Sequence, residues 1–165
     1  MPARLMGFGH AATDPVELGR FWAGVLGREL FDGPDGVVLM PLDPLDVPIR
    51  FLPTDKPHTE ANQFHPDLTS TSVEDQQARV ARALELGGSH LDIGQGDVDH
   101  VVLADPEGNE FCVIEADNSF LEGCGLVGAL AGDGTQAVGY FWSKALDWPL
   151  VWDQDEETAI QSPDG

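Results

Sequence analysis

The side chain of this sequence best placed for chemistry is the thiol of Cys112, in the second strand of a predicted hairpin. Two apolar runs, 100–104 and 110–115, flank the turn sequence Asp-Pro-Glu-Gly-Asn at 105–109. The proline presets φ for the second position of a type I turn, and the glycine suits the fourth. The pattern therefore predicts two antiparallel strands that fold back on each other.

Strand alternation assigns Cys112 to one face of this hairpin. Phe111 and Val113 share one face, and Glu110, Cys112 and Ile114 share the other. We expect the first face to pack on a helix and the second to line a pocket. A thiol there is a nucleophile only if a nearby positive charge lowers its pKa. Otherwise Cys112 is a small buried apolar side chain, and both interpretations stay open.

The elements that position the hairpin form two successive blocks of the order strand–helix–strand–strand–strand. In the first block, Asp14 predicts an N-cap, with proline at the first helical position, glutamate three residues after the cap and a C-cap at Gly27. In the second block, Ser72 opens the helix. The predicted strands are 4–12, 29–31, 36–40 and 47–52, then 64–71, 90–93, 100–104 and 110–115.

An internal repeat begins a third block. The segment Phe21–Leu30 returns 120 residues later as Phe141–Leu150, and Pro34-Asp35-Gly36 resembles Pro163-Asp164-Gly165. We expect the first copy of the Phe-Trp pair to be core. The third block holds too few strands to cover its own helix, so we expect it to dock on the first domain, to dimerise or to belong to a longer chain.

Composition excludes several classes of function. The formal net charge is −21, from 8 basic and 29 acidic residues, which repels nucleic acids and anionic membranes. Two cysteines are too few for a disulfide framework, and no apolar run approaches membrane-spanning length. We therefore expect a cytoplasmic protein with neither nucleic acid nor membrane as partner. The acidic run 153–157 predicts a solvated hairpin turn.

Two motifs carry a resemblance to a known family: Asp-Pro-x-x-Leu-x-x-Phe-Trp-x-x-x-Leu-Gly from Asp14, and Asp-Pro-Glu-Gly-Asn-Glu-Phe from Asp105. They resemble the vicinal oxygen chelate superfamily of glyoxalase I, extradiol dioxygenases, fosfomycin-resistance enzymes and bleomycin-binding proteins, and within it the tandem glyoxalase-like proteins of actinobacteria. The resemblance implies an α+β fold in which paired βαβββ modules form a cup-shaped curved mixed sheet with helices outside, plus a partial third module. It implies one complete domain over 1–118, with modules 1–60 and 61–118, and a linker and half-domain over 119–165.

The resemblance also implies a site, because family members hold a metal with side chains from the first and fourth strand of each module. The matching positions here are Gly7, Arg50, His65 and Cys112. Glycine offers no ligand, and arginine stays charged and would repel a metal. We therefore expect no metal cofactor, with His65 and Cys112 as the weak candidates if a divalent metal binds after all.

Without metal, these residues have other roles open to them. Arg50 is either an anchor for a carboxylate or the partner of an acidic side chain. His65 is either a proton carrier or a structural histidine. His65 and Cys112 are the candidate catalytic pair, and His100 either lines the rim of the cup or faces solvent. The ligand-binding candidates are thus Arg50, His65, Cys112 and His100.

Three functions follow as hypotheses. The first is a glyoxalase-like protein that binds a small organic molecule in the cup without a metal. The second is a metal-dependent lyase, isomerase or dioxygenase. The third is a binding protein for a cationic antibiotic of the bleomycin type, which the acidic charge favours and Arg50 opposes. In each case we expect a homodimer or docking of the partial module within the chain.

Overall fold

Two complete β-α-β-β-β modules and part of a third follow one another along the chain. The computed structural model describes residues 2–42 and 46–163. The first module comprises β1 (Phe8–Ala12), α1 (Pro15–Leu26), β2 (Leu30–Gly33), β3 (Gly36–Leu39) and β4 (Ile49–Pro53). The second comprises β5 (Phe64–Leu68), α2 (Val73–Glu85), β6 (Ser89–His90), β7 (Val101–Ala104) and β8 (Glu110–Val113). After a short 3₁₀ turn (Ser119–Leu121), the third comprises β9 (Val127–Gly132), α3 (Gln136–Leu146), β10 (Leu150–Gln154) and β11 (Glu157–Ile160). The predicted α+β class and the predicted β-α-β-β-β modules are confirmed.

The strands form three sheets, and their order shows which modules are joined. The first sheet has the order β1-β4-β3-β2, with β1 and β4 parallel. The second has the order β6-β7-β8-β5-β9, with β5 parallel to β8 and antiparallel to β9. Strands β10 and β11 pair with each other in a third sheet. Backbone hydrogen bonds therefore join the second module to the third. The sequence had allowed the first two modules to pair with each other instead.

The predicted signals at the helix ends are confirmed. The side chain of Asp14 accepts from the backbone N–H of Glu17, and that of Ser72 accepts from the N–H of Asp75. Gly27 follows α1 in the left-handed conformation, with φ of 67°. These caps fix both ends of α1, the helix that contacts both complete modules.

The helix α1 is the centre of the main core. Phe21 and Trp22 are buried between the first sheet and the second module. The ring of Phe111, on β8, lies 4.9 Å from the ring of Trp22 and 6.0 Å from that of Phe21. The indole Nε1 of Trp22 donates to Asp105 in the hairpin turn, at 3.2 Å. The two complete modules therefore pack through side chains rather than through a shared sheet.

A carboxylate in the same turn ties the hairpin to the start of α1. Glu107 accepts the backbone N–H groups of Thr13 and Asp14, each at 2.8 Å. Burial alone would raise the pKa of Glu107, but these two donors outweigh it and hold that pKa below its usual value. The sequence pattern had assigned no role to this residue.

We predict that Glu107→Gln lowers the free energy of unfolding by about 1–2 kcal/mol at pH 7, because a charged acceptor of two N–H groups is replaced by a neutral one. A carboxyl with a lowered pKa stabilises the fold above its unfolded pKa, near 4.5, and loses that contribution as the pH falls. The difference between wild type and variant should therefore shrink below pH 4.5. Urea titrations at pH 7 and at acidic pH measure it, and a difference that is the same at both would contradict this role.

The third module repeats the local structure of the first but is left uncovered. A Cβ atom on Gly19 would collide with Val37, and one on Gly139 would collide with Thr158, so α3 packs on β11 as α1 packs on β3. Phe21 is 3% exposed, whereas its counterpart Phe141 is 62% exposed. The third module therefore keeps the helix–strand packing, but no part of residues 2–42 and 46–163 covers α3 as the second module covers α1.

The remaining expectations divide between confirmed and untested ones. The acidic run does form an exposed hairpin turn, in which Asp155 and Glu156 have φ of 54° and 65°. The match of the repeat at 164–165 lies outside the described residues. None of the described helices has the length and apolar character needed to span a membrane. The domain division at 118/119, the homodimer and the cytoplasmic location stay predictions.

Candidate functional site

The second sheet has two chemically different faces. Leu68, Phe111 and Val113 point to the main core under the helices. Cys112 and Ile114 point the other way and join a smaller cluster, whose other members include Val102, Leu121 and Ala129. The predicted division of the hairpin faces is confirmed. Cys112 therefore lies on the face away from the helices.

Three side chains with metal-binding or acid–base chemistry meet on this second face. Asp67 on β5 is in register with Cys112 on β8, and His65 precedes Asp67 by two residues and so points the same way. One ligand atom from each of the three residues lies within 4.8 Å of the other two. The Nε2 atom of His65 is 3.4 Å from Oδ1 of Asp67. We call His65, Asp67 and Cys112 the triad.

The triad is electrostatically coupled. Interaction with the Asp67 carboxylate, followed by that with the Cys112 sulfur, outweighs burial and raises the pKa of His65 to about 10. At neutral pH the imidazole is therefore protonated and positively charged. Oδ1 of Asp67 is buried and accepts no well-formed hydrogen bond from any of the described residues. The imidazolium of His65, 3.4 Å away, is the positive charge that faces this buried oxygen.

The strand next to the triad comes from the third module and carries small side chains. In the antiparallel pair of β5 and β9, Ala129 is in register with Asp67 and Ala131 with His65. The methyl side chains of these two alanines offer no ligand atoms. All three ligand atoms therefore come from the second module.

The other predicted site residues lie elsewhere. Arg50 is an exposed residue of β4, in register with Gly9 and Val38 in the first sheet. Gly7 immediately precedes β1 in the same module. The four positions expected to share one cup are thus divided between two sheets, because the free edge of β5 pairs with β9. His100 is half-buried just before β7.

A model of the glyoxalase-like domain matches residues 8–114, which span both complete modules and the triad. The chain belongs to this glyoxalase-like domain family. Among curated proteins, none matches the sequence significantly. The closer resemblance to tandem proteins of actinobacteria stays a prediction.

Solved structures place the glyoxalase-like chain in the same fold. A glyoxalase/bleomycin resistance protein/dioxygenase family enzyme from Burkholderia phytofirmans is 17% identical, with 67% of this chain and 97% of that chain covered and a TM-score of 0.54. The fosfomycin resistance protein FosX from Mesorhizobium loti is 12% identical, with 73% and 98% covered and a TM-score of 0.56. A mutant FosX from Listeria monocytogenes, complexed with Mn(II) and a dihydroxypropylphosphonic acid, is 14% identical, with 72% and 94% covered and a TM-score of 0.54. At these identities the likeness shows the fold alone.

The donor set of this glyoxalase-like domain fits a divalent transition metal. Imidazole nitrogen, carboxylate oxygen and thiolate sulfur are the donors that zinc takes in proteins, and borderline metals such as Co²⁺ accept the same set. Three protein ligands also leave a fourth position open, as in catalytic zinc sites. The buried Oδ1 of Asp67, which lacks a hydrogen bond to a described residue, faces this cluster. The residues therefore fit a metal, with Asp67 as a third ligand beside His65 and Cys112.

A cavity of about 450 Å³ lies where β5 and β8 end. Its lining includes Thr69 and Ile114, which come directly after the ends of β5 and β8 and follow Asp67 and Cys112 by two residues in the chain. Glu115 and Leu121 are also part of its lining. The residues that follow β5 and β8 thus line a space large enough for a small organic molecule.

Asp67 was missed from the sequence, although a signal was present. In a strand, residues two apart share a face, so His65-Pro66-Asp67 presents an imidazole and a carboxylate side by side. Strand alternation alone could therefore have placed Asp67 in the candidate site beside His65. The pairing of β5 with β8 then brings in Cys112.

Proposed function

We propose that this glyoxalase-like chain binds a small organic molecule at a divalent transition metal held by His65, Asp67 and Cys112. The observation that carries the proposal is the convergence of three different ligand atoms within 4.8 Å on one face of the sheet. The cavity lined by Thr69 and Ile114, two residues beyond Asp67 and Cys112 in the chain, supplies room for the molecule. The fold itself accommodates such an ion, since FosX from Listeria monocytogenes has been described with Mn(II).

Each residue of the triad has a separate role in this proposal. Asp67 contributes the negative charge that offsets the cation, through an oxygen that has no hydrogen bond to a described residue. His65 must release its proton before its nitrogen can act as a ligand, and Cys112 must be a thiolate. When bound, the ion would supply a positive charge that polarises an oxygen atom of the organic molecule. Ala129 and Ala131, in register with Asp67 and His65 on the neighbouring strand, offer no competing ligand atom.

We predict that His65→Gln, Asp67→Asn and Cys112→Ser each weaken binding of Co²⁺ or Zn²⁺ by more than the roughly 10–100-fold typical of lost outer-shell partners. Isothermal titration and the thiolate absorption of the Co²⁺ complex measure this loss. His90→Gln, at an exposed histidine of the same sheet, is the matched control and should bind metal like wild type. Equal affinity in all four variants, or no affinity in the wild type, would refute the metal site.

A second candidate is the metal-free binding of a small organic molecule. It is favoured by the charge balance of the triad, in which the imidazolium of His65 faces the carboxylate of Asp67 without any ion. Acetohydroxamate, a small chelating probe, distinguishes the candidates by thermal shift. Binding that needs added metal and disappears with a chelator supports the first candidate, and binding that survives the chelator supports the second.

A further inference from the structure

We propose that the face of the first sheet opposite α1 binds a small organic carboxylate with an aromatic body, and that Arg50 holds the carboxylate group. This inference does not depend on the metal site, because the triad lies in the second sheet. It rests on the direction in which Arg50 points, on its lack of an ion-pair partner and on the apolar side chains around it.

Arg50 lies on the exposed face of an inner strand. Its strand, β4, pairs with β1 on one side and with β3 on the other. The next residue, Phe51, is fully buried in the core that includes α1. Successive side chains of a strand point to opposite faces, so the side chain of Arg50 points away from that core. The residue is exposed, in agreement with this direction.

The guanidinium of Arg50 has no carboxylate partner in the part of the chain that the structure describes. Four other arginines each form an ion pair with an aspartate or a glutamate: Arg20, Arg28, Arg79 and Arg82. The chain has 29 acidic residues, yet none of the described ones pairs with Arg50. The N–H donors of this guanidinium are therefore available to a ligand.

The side chains around Arg50 on this face are small or apolar. Gly9 and Val38 are in register with Arg50 on the two neighbouring strands, and Phe31 is in register with Val38 on β2. Leu52 follows Arg50 by two residues on β4, and its Cδ1 would lie 3.6 Å from a Cβ atom on Gly9. Phe31 is 46% exposed, and Leu52 is 40% exposed. An unpaired positive charge thus lies within an exposed apolar patch.

These features specify the chemistry of the ligand. A guanidinium pairs with a carboxylate through two parallel hydrogen bonds. Phe31 is two strands from Arg50, or about 10 Å across the sheet, so a molecule held at Arg50 by its carboxylate can place an attached aromatic ring against Val38 and Phe31. The net charge of −21 disfavours anions in general and a second copy of the chain as occupant. Affinity for such a carboxylate therefore has to come from this local arrangement.

The test uses the full chain, 4-phenylbutyrate as the probe and EDTA in every sample. In a nuclear magnetic resonance titration, the backbone amides of 30–33, 36–39 and 49–52 should shift saturably, and those of 127–132 should not. The neutral probe 4-phenylbutanol should bind at least about 10-fold more weakly, because it lacks the charge-assisted hydrogen bonds. No saturable shift, shifts in other segments only, or equal affinity for the two probes would overturn the proposal.

Variants of single basic residues make the test specific. Arg50→Leu should bind 4-phenylbutyrate as weakly as the wild type binds 4-phenylbutanol. Arg50→Lys should lose part of the affinity, because lysine keeps the charge but not the planar fork. Lys56→Leu, at an exposed lysine of the same module, is the matched control and should bind like wild type. An Arg50→Leu variant with wild-type affinity, or an equal loss in Lys56→Leu, would refute the role of Arg50.

Two further points separate this proposal from its alternatives. The probe is titrated in EDTA, so its result is independent of metal binding by the triad. Sedimentation velocity and hydrogen exchange without probe cover the other occupant of the face. A dimer in which 30–33 and 49–52 are protected from exchange would assign this face to a second copy and overturn the proposal.

Discussion

Replacing Phe21 by alanine is expected to lower the free energy of unfolding by about 3–5 kcal/mol, whereas Phe141→Ala should change it by less than about 0.5 kcal/mol. The two residues occupy the same position of the internal repeat. Phe21 is buried against Trp22 and Phe111, and Phe141 is mostly exposed. The residue type and the helix position are thus matched, and burial differs sharply.

Urea unfolding of both variants measures this contrast at equal protein concentration. The cost at Phe21 has two parts. The favourable burial of a large ring away from water is lost, and a cavity is left between the two modules. Equal losses at the two positions would contradict the exposed state of α3 and would mean that its Phe141 ring is covered in solution. A concentration-dependent loss at Phe141 would identify that cover as another copy of the chain.

Asp105→Ala is expected to cost at least about 3 kcal/mol, because several buried donors lose one acceptor at about 1–3 kcal/mol each. The carboxylate of Asp105 accepts from Nε1 of Trp22, from the backbone N–H of Glu107, and from both the backbone and the side-chain amide of Asn109. It thereby holds the hairpin turn and joins that turn to α1. We expect loss of this one carboxylate to destabilise both the hairpin turn and its contact with α1.

Denaturant titrations followed by tryptophan fluorescence and by circular dichroism check this prediction. Asp105→Asn keeps the shape and one acceptor oxygen, so its loss should lie between wild type and alanine. Asp97→Ala, at an exposed aspartate of the same module, is the control and should be near neutral. An alanine variant as stable as the asparagine variant would show that the hydrogen bonds contribute little.

The local elements could be predicted from sequence because their signals are local. The caps at Asp14 and Ser72, the left-handed Gly27 and the turn from Asp105 to Gly108 all depend on residues within a few positions of each other. The faces of the hairpin followed from strand alternation in the same way. Strand ends differ by a few residues from the predicted ones, as expected where pairing decides them.

The site could be predicted only in part, because its environment depends on which strand edges meet. His65 and Cys112 come together since β5 and β8 pair within one module. Arg50 was expected beside them on the assumption of one continuous cup, but β9 takes the edge of β5. No local pattern in the sequence specifies the partner of an edge strand when that partner is distant in the chain. Asp67 was available from alternation, and Glu107 acts through a contact 94 residues away in the chain.

The pairing of β5 with β9 places the candidate ligand atoms and the side chains beside them in different modules. The ligand atoms belong to β5 and β8, whereas Ala129 and Ala131, in register with Asp67 and His65, belong to β9. Exchange of either alanine for a larger residue would change what lies beside the triad without altering a ligand atom. The surroundings of the triad can therefore change by mutation of the third module while its ligand atoms stay constant in the second.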